Sequence, residues 1–205
     1  MDRTGLLVAL AAALLAAAPG GAQNLVGNSD FDANLDGWTD VTAAFILPTW
    51  ENQDWAGDPQ SGSLQLENEA DGADTFGGIA QCVVIPEADG TTRDAVRAEA
   101  RVADGDAPNG SAELFVTFHN DSACAALPLD QASAVWDAEI WGAFGLPDVV
   151  VPALTHSIRV ALWARNADAG GSITVFFDHV FLPEADGLAS GCAALLALGV
   201  LRRRV

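Results

Sequence analysis

The chain has 205 residues, half of them hydrophobic, and its nine basic residues, all arginine, face 28 acidic ones for a formal net charge of −19. That length suits one domain with short processing segments and leaves little room for two. So acidic a chain repels nucleic acid and anionic lipid, keeps the protein soluble outside a cell, and attracts cations such as Ca²⁺.

Residues 1–22 read as a signal peptide. Arg3 supplies the positive start, residues 6–18 are an unbroken apolar run, and Pro19-Gly20-Gly21-Ala22 offers a helix break and small residues for cleavage. The run is too short for a stable span. Residues 24–182 are then expected to form one domain.

Within that domain the apolar period is two, not 3.6. Strand candidates in chain order are residues 38–47, 63–67, 78–85, 95–102, 113–119, 134–141, 157–165 and 172–182. In 157–165, Ile158, Val160 and Leu162 share one face and Arg159, Ala161, Trp163 and Arg165 the other. Asp71-Gly72, Asp89-Gly90, Asp104-Gly105-Asp106, Pro108-Asn109-Gly110 and Gly170-Gly171 mark turns between the runs. Eight or nine strands in about 160 residues predict an all-β fold, a two-sheet antiparallel β-sandwich of jelly-roll type. Helices are expected only in the N-terminal signal segment and the C-terminal apolar tail. An exported domain with Cys82 and Cys124, and a third cysteine (Cys192) in the tail, predicts a Cys82–Cys124 disulfide.

Residues 183–205 form the tail: Pro183-Glu184-Ala185-Asp186, a mostly apolar run from 187 to 201, then Arg202-Arg203-Arg204. The run spans roughly 22 Å as a helix, short for a hydrocarbon core of about 30 Å, with the arginines held on the cytoplasmic side. With both ends set aside, five arginines face 25 acids, so the domain itself carries about −20.

Two blocks carry a family resemblance. The first is Asn24-Leu25-Val26-Gly27-Asn28-Ser29-Asp30-Phe31-Asp32 with Leu35-Asp36-Gly37-Trp38, and the second is Phe176-Phe177-Asp178-His179-Val180-Phe181-Leu182. In order and spacing they resemble the opening and closing strands of galactose-binding-like jelly rolls, the group that holds several carbohydrate-binding modules. Ser61-Gly62-Ser63-Leu64 and Gln81-Cys82-Val83 fit the same pattern. The resemblance implies a structural Ca²⁺ held by Asp32 and Asp178, two carboxylates stapling the first strand to the last. Asp32 stands where a glutamate is usual, and His179 replaces a second closing aspartate. A rival calcium reading, an EF-hand-like loop starting at Asp32, lacks the glutamate at its twelfth position, which is Ala43. The tail resembles the sorting signals of exosortase-type systems in Gram-negative bacteria, with Ala185 in place of the second proline. It implies an exosortase-like processing enzyme and a membrane contact through the tail, hence a cell-envelope, cell-surface or extracellular location.

The chain has six tryptophans and no tyrosine. Flat indole faces stack on sugar rings. Trp38 and Trp136 fall on core-facing positions. Trp50 and Trp55 bracket Glu51 and Asn52 in a polar stretch, a combination of stacking surface and hydroxyl partners that suits a glycan. A second set is Arg159, Trp163 and Arg165 on one strand with Trp141 on another, expected to line one groove. Among the enzyme signatures sought, no Gly-x-Ser-x-Gly, His-Glu-x-x-His or phosphate-loop motif occurs, so no enzyme is expected. The expected function is non-catalytic binding of polysaccharide or cell-surface glycan. The alternative is a structural or adhesive surface protein with no small ligand.

Overall fold

The computed structural model describes residues 23–41, 46–70, 72, 74–85, 92–168 and 170–184, without the side chains at 92–94. The signal segment and the apolar tail, with their expected helices, lie outside the described residues. No described helix is long and apolar enough to cross a membrane.

Ten strands follow in chain order: β1 (Thr39–Asp40), β2 (Ile46–Glu51), β3 (Ser63–Asn68), β4 (Thr75–Val84), β5 (Thr92–Val102), β6 (Gly110–His119), β7 (Asp130–Trp136), β8 (Gly142–Val150), β9 (Ser157–Asn166) and β10 (Ile173–Phe181). They form two five-stranded sheets, β1-β4-β9-β6-β7 and β2-β3-β10-β5-β8, with every pairing antiparallel. Alternation along each strand fills the space between them. Leu64 and Leu66, Val96 to Val102 at every second position, Leu114 to Phe118, Ile158 to Leu162, and Ile173, Val175 and Phe177 are all buried. The all-β, two-sheet sandwich is the fold the alternation predicted.

Three details differ from the sequence reading. The run 38–47 holds two strands in different sheets, β1 and β2. The run 134–141 is not one strand: β7 ends at Trp136, and Trp141 leads into β8. Strand β8 (Gly-Ala-Phe-Gly-Leu-Pro-Asp-Val-Val) escaped notice because two glycines, a proline and an aspartate interrupt it. As an edge strand it tolerates them. In β10 the register shifts between Asp178 and Phe181, where His179 adopts a φ of 47°. This bulge moves the buried parity from Phe177 to Val180.

The two family-like blocks meet. The Asn24 side-chain amide donates to the Val180 carbonyl, its oxygen accepts from the Leu182 N–H, and Val180 N–H donates to the Ser29 carbonyl. Trp38 is half-buried against Phe31, as expected of a core residue. Cys82 and Cys124 are joined by the expected disulfide across a sequence separation of 42.

Candidate functional site

The outer face of the β1-β4-β9-β6-β7 sheet collects aromatic side chains because its strands alternate. With Leu162 and Ala164 turned inward, Trp163 and Arg165 of β9 point outward; likewise Glu113 and Phe115 of β6 flank the inward Leu114. The register sets Glu113 opposite Trp163, and Phe76 of β4 opposite Arg165. The result is a row of three rings across three strands. Phe115 lies 4.4 Å from Trp163 at 19°, and Phe76 lies 4.9 Å from it at 28° on the other side.

This stacking fixes what each ring presents. Both faces of Trp163 are covered, its indole N–H is buried without a hydrogen-bond partner, and only its edge meets solvent. Phe76 ends the row, is 57% exposed, and offers an open face. Beside the row lies a shallow depression of about 290 Å³ lined by Asp74, Pro108, Ser111, Val135, Asp137 and Arg165. Arg165 donates to Asp74 at 3.0 Å with both side chains well exposed. An ion pair of that exposure contributes about 0–1 kcal/mol, so its groups can be redirected to a ligand at little cost. Asp74 is positioned from beneath. The buried Asn68 amide donates to the Thr75 and Ala164 carbonyls and its oxygen accepts from Ala70 N–H, which fixes both ends of the segment that carries Asp74.

At the opposite end of the same face the chain after β6 folds over the sheet. The Asp121 carboxylate accepts from the N–H groups of Ala123, Ala125 and Ala126, which hold its carboxyl below the usual range. Arg159 donates to the Cys124 carbonyl, and the disulfide anchors the segment to β4. Arg159 is therefore committed to holding this wall.

The other expected residues separate. Trp141 lies on the opposite side of the sandwich, 6.4 Å from the Phe176 ring on the outer face of the β2-β3-β10-β5-β8 sheet. It shares no groove with Trp163, because β8 and β9 belong to different sheets. Trp50 and Trp55 do not form one platform. The Trp50 N–H donates to the Phe31 carbonyl, and its ring packs over Gly62, where a Cβ would come within 2.6 Å of it. Trp55 is turned toward His179, at 5.9 Å, and its backbone N–H donates to Asp178. Glu51 ends β2 opposite Ser63, and Asn52 is exposed in the loop beyond.

Asp178 is almost fully buried, accepts from the N–H groups of Trp55 and His179, and has a pKa raised to about 7, chiefly by burial and further by the negative charges of Asp54 and Asp30. The Asp32 carboxylate accepts from the Ser61 hydroxyl. The Asp30 carboxylate is paired with His179 at 2.6 Å. Among the described residues no three His, Cys, Asp or Glu side chains converge into a metal cage. What the sequence reading missed is Phe76, and with it Phe115. The signal for Phe115 was its outward position opposite the apolar Leu114 and Val116, whereas Phe76 lies before the expected run 78–85 and in β4, which starts at Thr75.

A two-sheet antiparallel sandwich with an aromatic row on an open face defines a class, the β-sandwich modules. No family model and no curated protein matches the chain. Solved structures do. The enzymatically active domain of bacteriophage CBA120 tailspike protein 4 superposes with a TM-score of 0.58 at 13% identity, over 77% of this chain and 21% of that one. The CBM22-2 xylan-binding domain of Paenibacillus barcinonensis Xyn10C gives 0.53 at 16% identity, over 76% of this chain and 97% of that one. TmCBM61, solved with β-1,4-galactotriose, gives 0.50 at 12% identity, over 79% and 99%. The chain thus spans a fifth of the phage structure but nearly the whole of the two carbohydrate-binding modules, whose fold it shares.

Proposed function

We propose that this chain is a non-catalytic module that binds a neutral polysaccharide along the outer face of the β1-β4-β9-β6-β7 sheet. The observation that carries the reading is the row Phe76–Trp163–Phe115 beside the Arg165 depression. Phe76 supplies the stacking face and the aromatic edges supply a flat floor. Arg165 donates to hydroxyl groups while Asp74 and Asp137 accept from them, the mixture a polyhydroxylated ligand requires. The resemblance of the whole sandwich to a xylan-binding domain and to a galactotriose complex supports this choice. The Trp50–Glu51–Asn52–Trp55 stretch is left out of the site because its two rings are engaged separately.

The signal-like N-terminus and the disulfide support export, and the arginine-ended tail supports membrane sorting through an exosortase-like enzyme at a cell surface. For calcium, the proposal keeps Asp32 and Asp178, and the buried Asp178 is the carboxylate to consider first. It is buried without a cationic partner of its own and has Asp54 and Asp30 as acidic neighbours, and a Ca²⁺ there takes further oxygens from backbone and water. Chelation then lowers the melting temperature; an unchanged melt removes the ion from the account.

Affinity electrophoresis of the full chain in gels containing soluble β-1,4-xylan or β-1,4-galactan tests the main proposal. Retardation by at least one of them is expected, and mobility unaffected by either would overturn it.

A further inference from the structure

The opposite side of the sandwich carries a second arrangement of aromatic and polar groups. The register of the β2-β3-β10-β5-β8 sheet builds rows across its outer face: Thr49, Gln65, Phe176 and Arg101 in one, Asp178, Glu99 and Ala143 in the next, then Phe181, Arg97 and Gly145. Arg101 lies over the Phe176 ring at 5.3 Å and Arg97 over Phe181 at 5.0 Å, so each guanidinium has an aromatic support beneath it. The Arg101 Nε–H is buried with no partner. Four residues apart on β5, the two arginines sit about 13 Å from each other. Next to them the edge strand is lined with small residues, and Ala95, Arg97, Ala143, Gly145 and Pro147 border a trough of about 230 Å³. Trp141, which precedes this edge strand, lies 6.4 Å from Phe176 with its ring tilted 55° to it.

Charge narrows the occupant. Two arginines and three carboxylates, Glu67, Glu99 and the buried Asp178, share this face, and Arg101 also lies 3.8 Å from Asp104. A polyanion meets the glutamates and a chain of −19, and a polycation meets the arginines. Protein interfaces deplete charge at their centres, whereas this one has charge in the middle. A neutral polyhydroxylated chain uses the donors and the acceptors together.

We propose that the outer face running from Trp141 past Arg101 to the Arg97 trough is a second binding face for a neutral oligosaccharide, separate from the Phe76 face, and that the protein thereby bridges two polysaccharide strands. The two faces point away from each other across the sandwich, so one chain segment cannot occupy both as a continuous site. Bridging rests on the proposed glycan binding at the Phe76 face; occupancy of the trough does not.

The test compares the full chain with Trp141→Ala, Arg97→Gln, Phe76→Ala and the Phe76→Ala/Trp141→Ala double variant, in xylan and galactan gels and by turbidity of the mixed solutions. Arg97→Gln changes an exposed side chain and keeps the fold if Trp141→Ala does not. The expected result is a fivefold or greater loss of retention by the trough variants in at least one glycan, residual retention in Phe76→Ala, loss of all retention in the double variant, and turbidity that disappears with either face. Wild-type retention unchanged by Trp141→Ala and Arg97→Gln overturns the second face alone. Retention abolished by Phe76→Ala alone does so too. No retention of any form overturns both faces.

Discussion

Phe76 and Trp163 share one stack but do different work. Trp163 is clamped on both faces, so it holds the row together, while Phe76 at the end of the row is the ring a sugar can reach. Phe76→Ala is therefore expected to weaken glycan retention tenfold or more, about 1.4 kcal/mol, with the melting temperature little changed. An equal loss of stability and binding, read by thermal melting beside the gels, would assign Phe76 to packing. Gly62 has the opposite character. A Cβ there would come within 2.4 Å of the Glu51 carbonyl and 2.6 Å of the Trp50 ring, so Gly62→Ala is expected to cost about 1–3 kcal/mol in urea unfolding. Asp178 adds a pH signature. Its folded pKa of about 7 lies above the ordinary carboxylate value, so the folded state holds the extra proton between about pH 4 and 7, and stability falls as pH rises through that window. In EDTA, the melting temperature of Asp178→Asn relative to wild type should accordingly rise from pH 5 to pH 8; a pH-independent difference would refute the buried-charge account.

At the scale of elements, the segment after β6 is the wall of the site and the disulfide is its anchor. Replacing Cys82 and Cys124 by serine releases a loop closure of 42 residues and is expected to cost about 4 kcal/mol by the chain-entropy estimate, measured by denaturant unfolding. Strand identity was legible wherever one face was apolar and the other polar: β5, β6 and β9 follow their period closely. It failed at β8, where Gly145 and Pro147 erase the period, and at 38–47, where two strands of different sheets run together in the sequence. The site was half legible for the same reason. Parity placed Trp163 and Arg165 on one outward face, but it could not tell which strands share a sheet, so Trp141 was grouped with the wrong partner; Phe76 passed unnoticed because the expected run began at residue 78 and β4 begins at Thr75. Arg159 was chosen as a polar outward residue, and only the folded loop reveals the carbonyl it serves.

In this acidic sandwich the four arginines whose side chains are described lie on the two outer sheet faces, Arg159 and Arg165 on one and Arg97 and Arg101 on the other. That distribution sets cationic donors among the carboxylates of each face on a chain of −19, a mixture that favours an uncharged ligand over a polyelectrolyte. Binding to a neutral glycan should then change little between 50 and 500 mM salt, since screening acts on charge pairs and not on stacking or hydroxyl contacts; a steep decline would point to an ionic partner instead. The most direct measurement is isothermal titration of the full chain and of Phe76→Ala with xylohexaose and β-1,4-galactotriose. The account predicts saturable binding of at least one by the wild type and at least tenfold weaker binding by the variant; no heat from either sugar, or equal affinities for the two proteins, would contradict it.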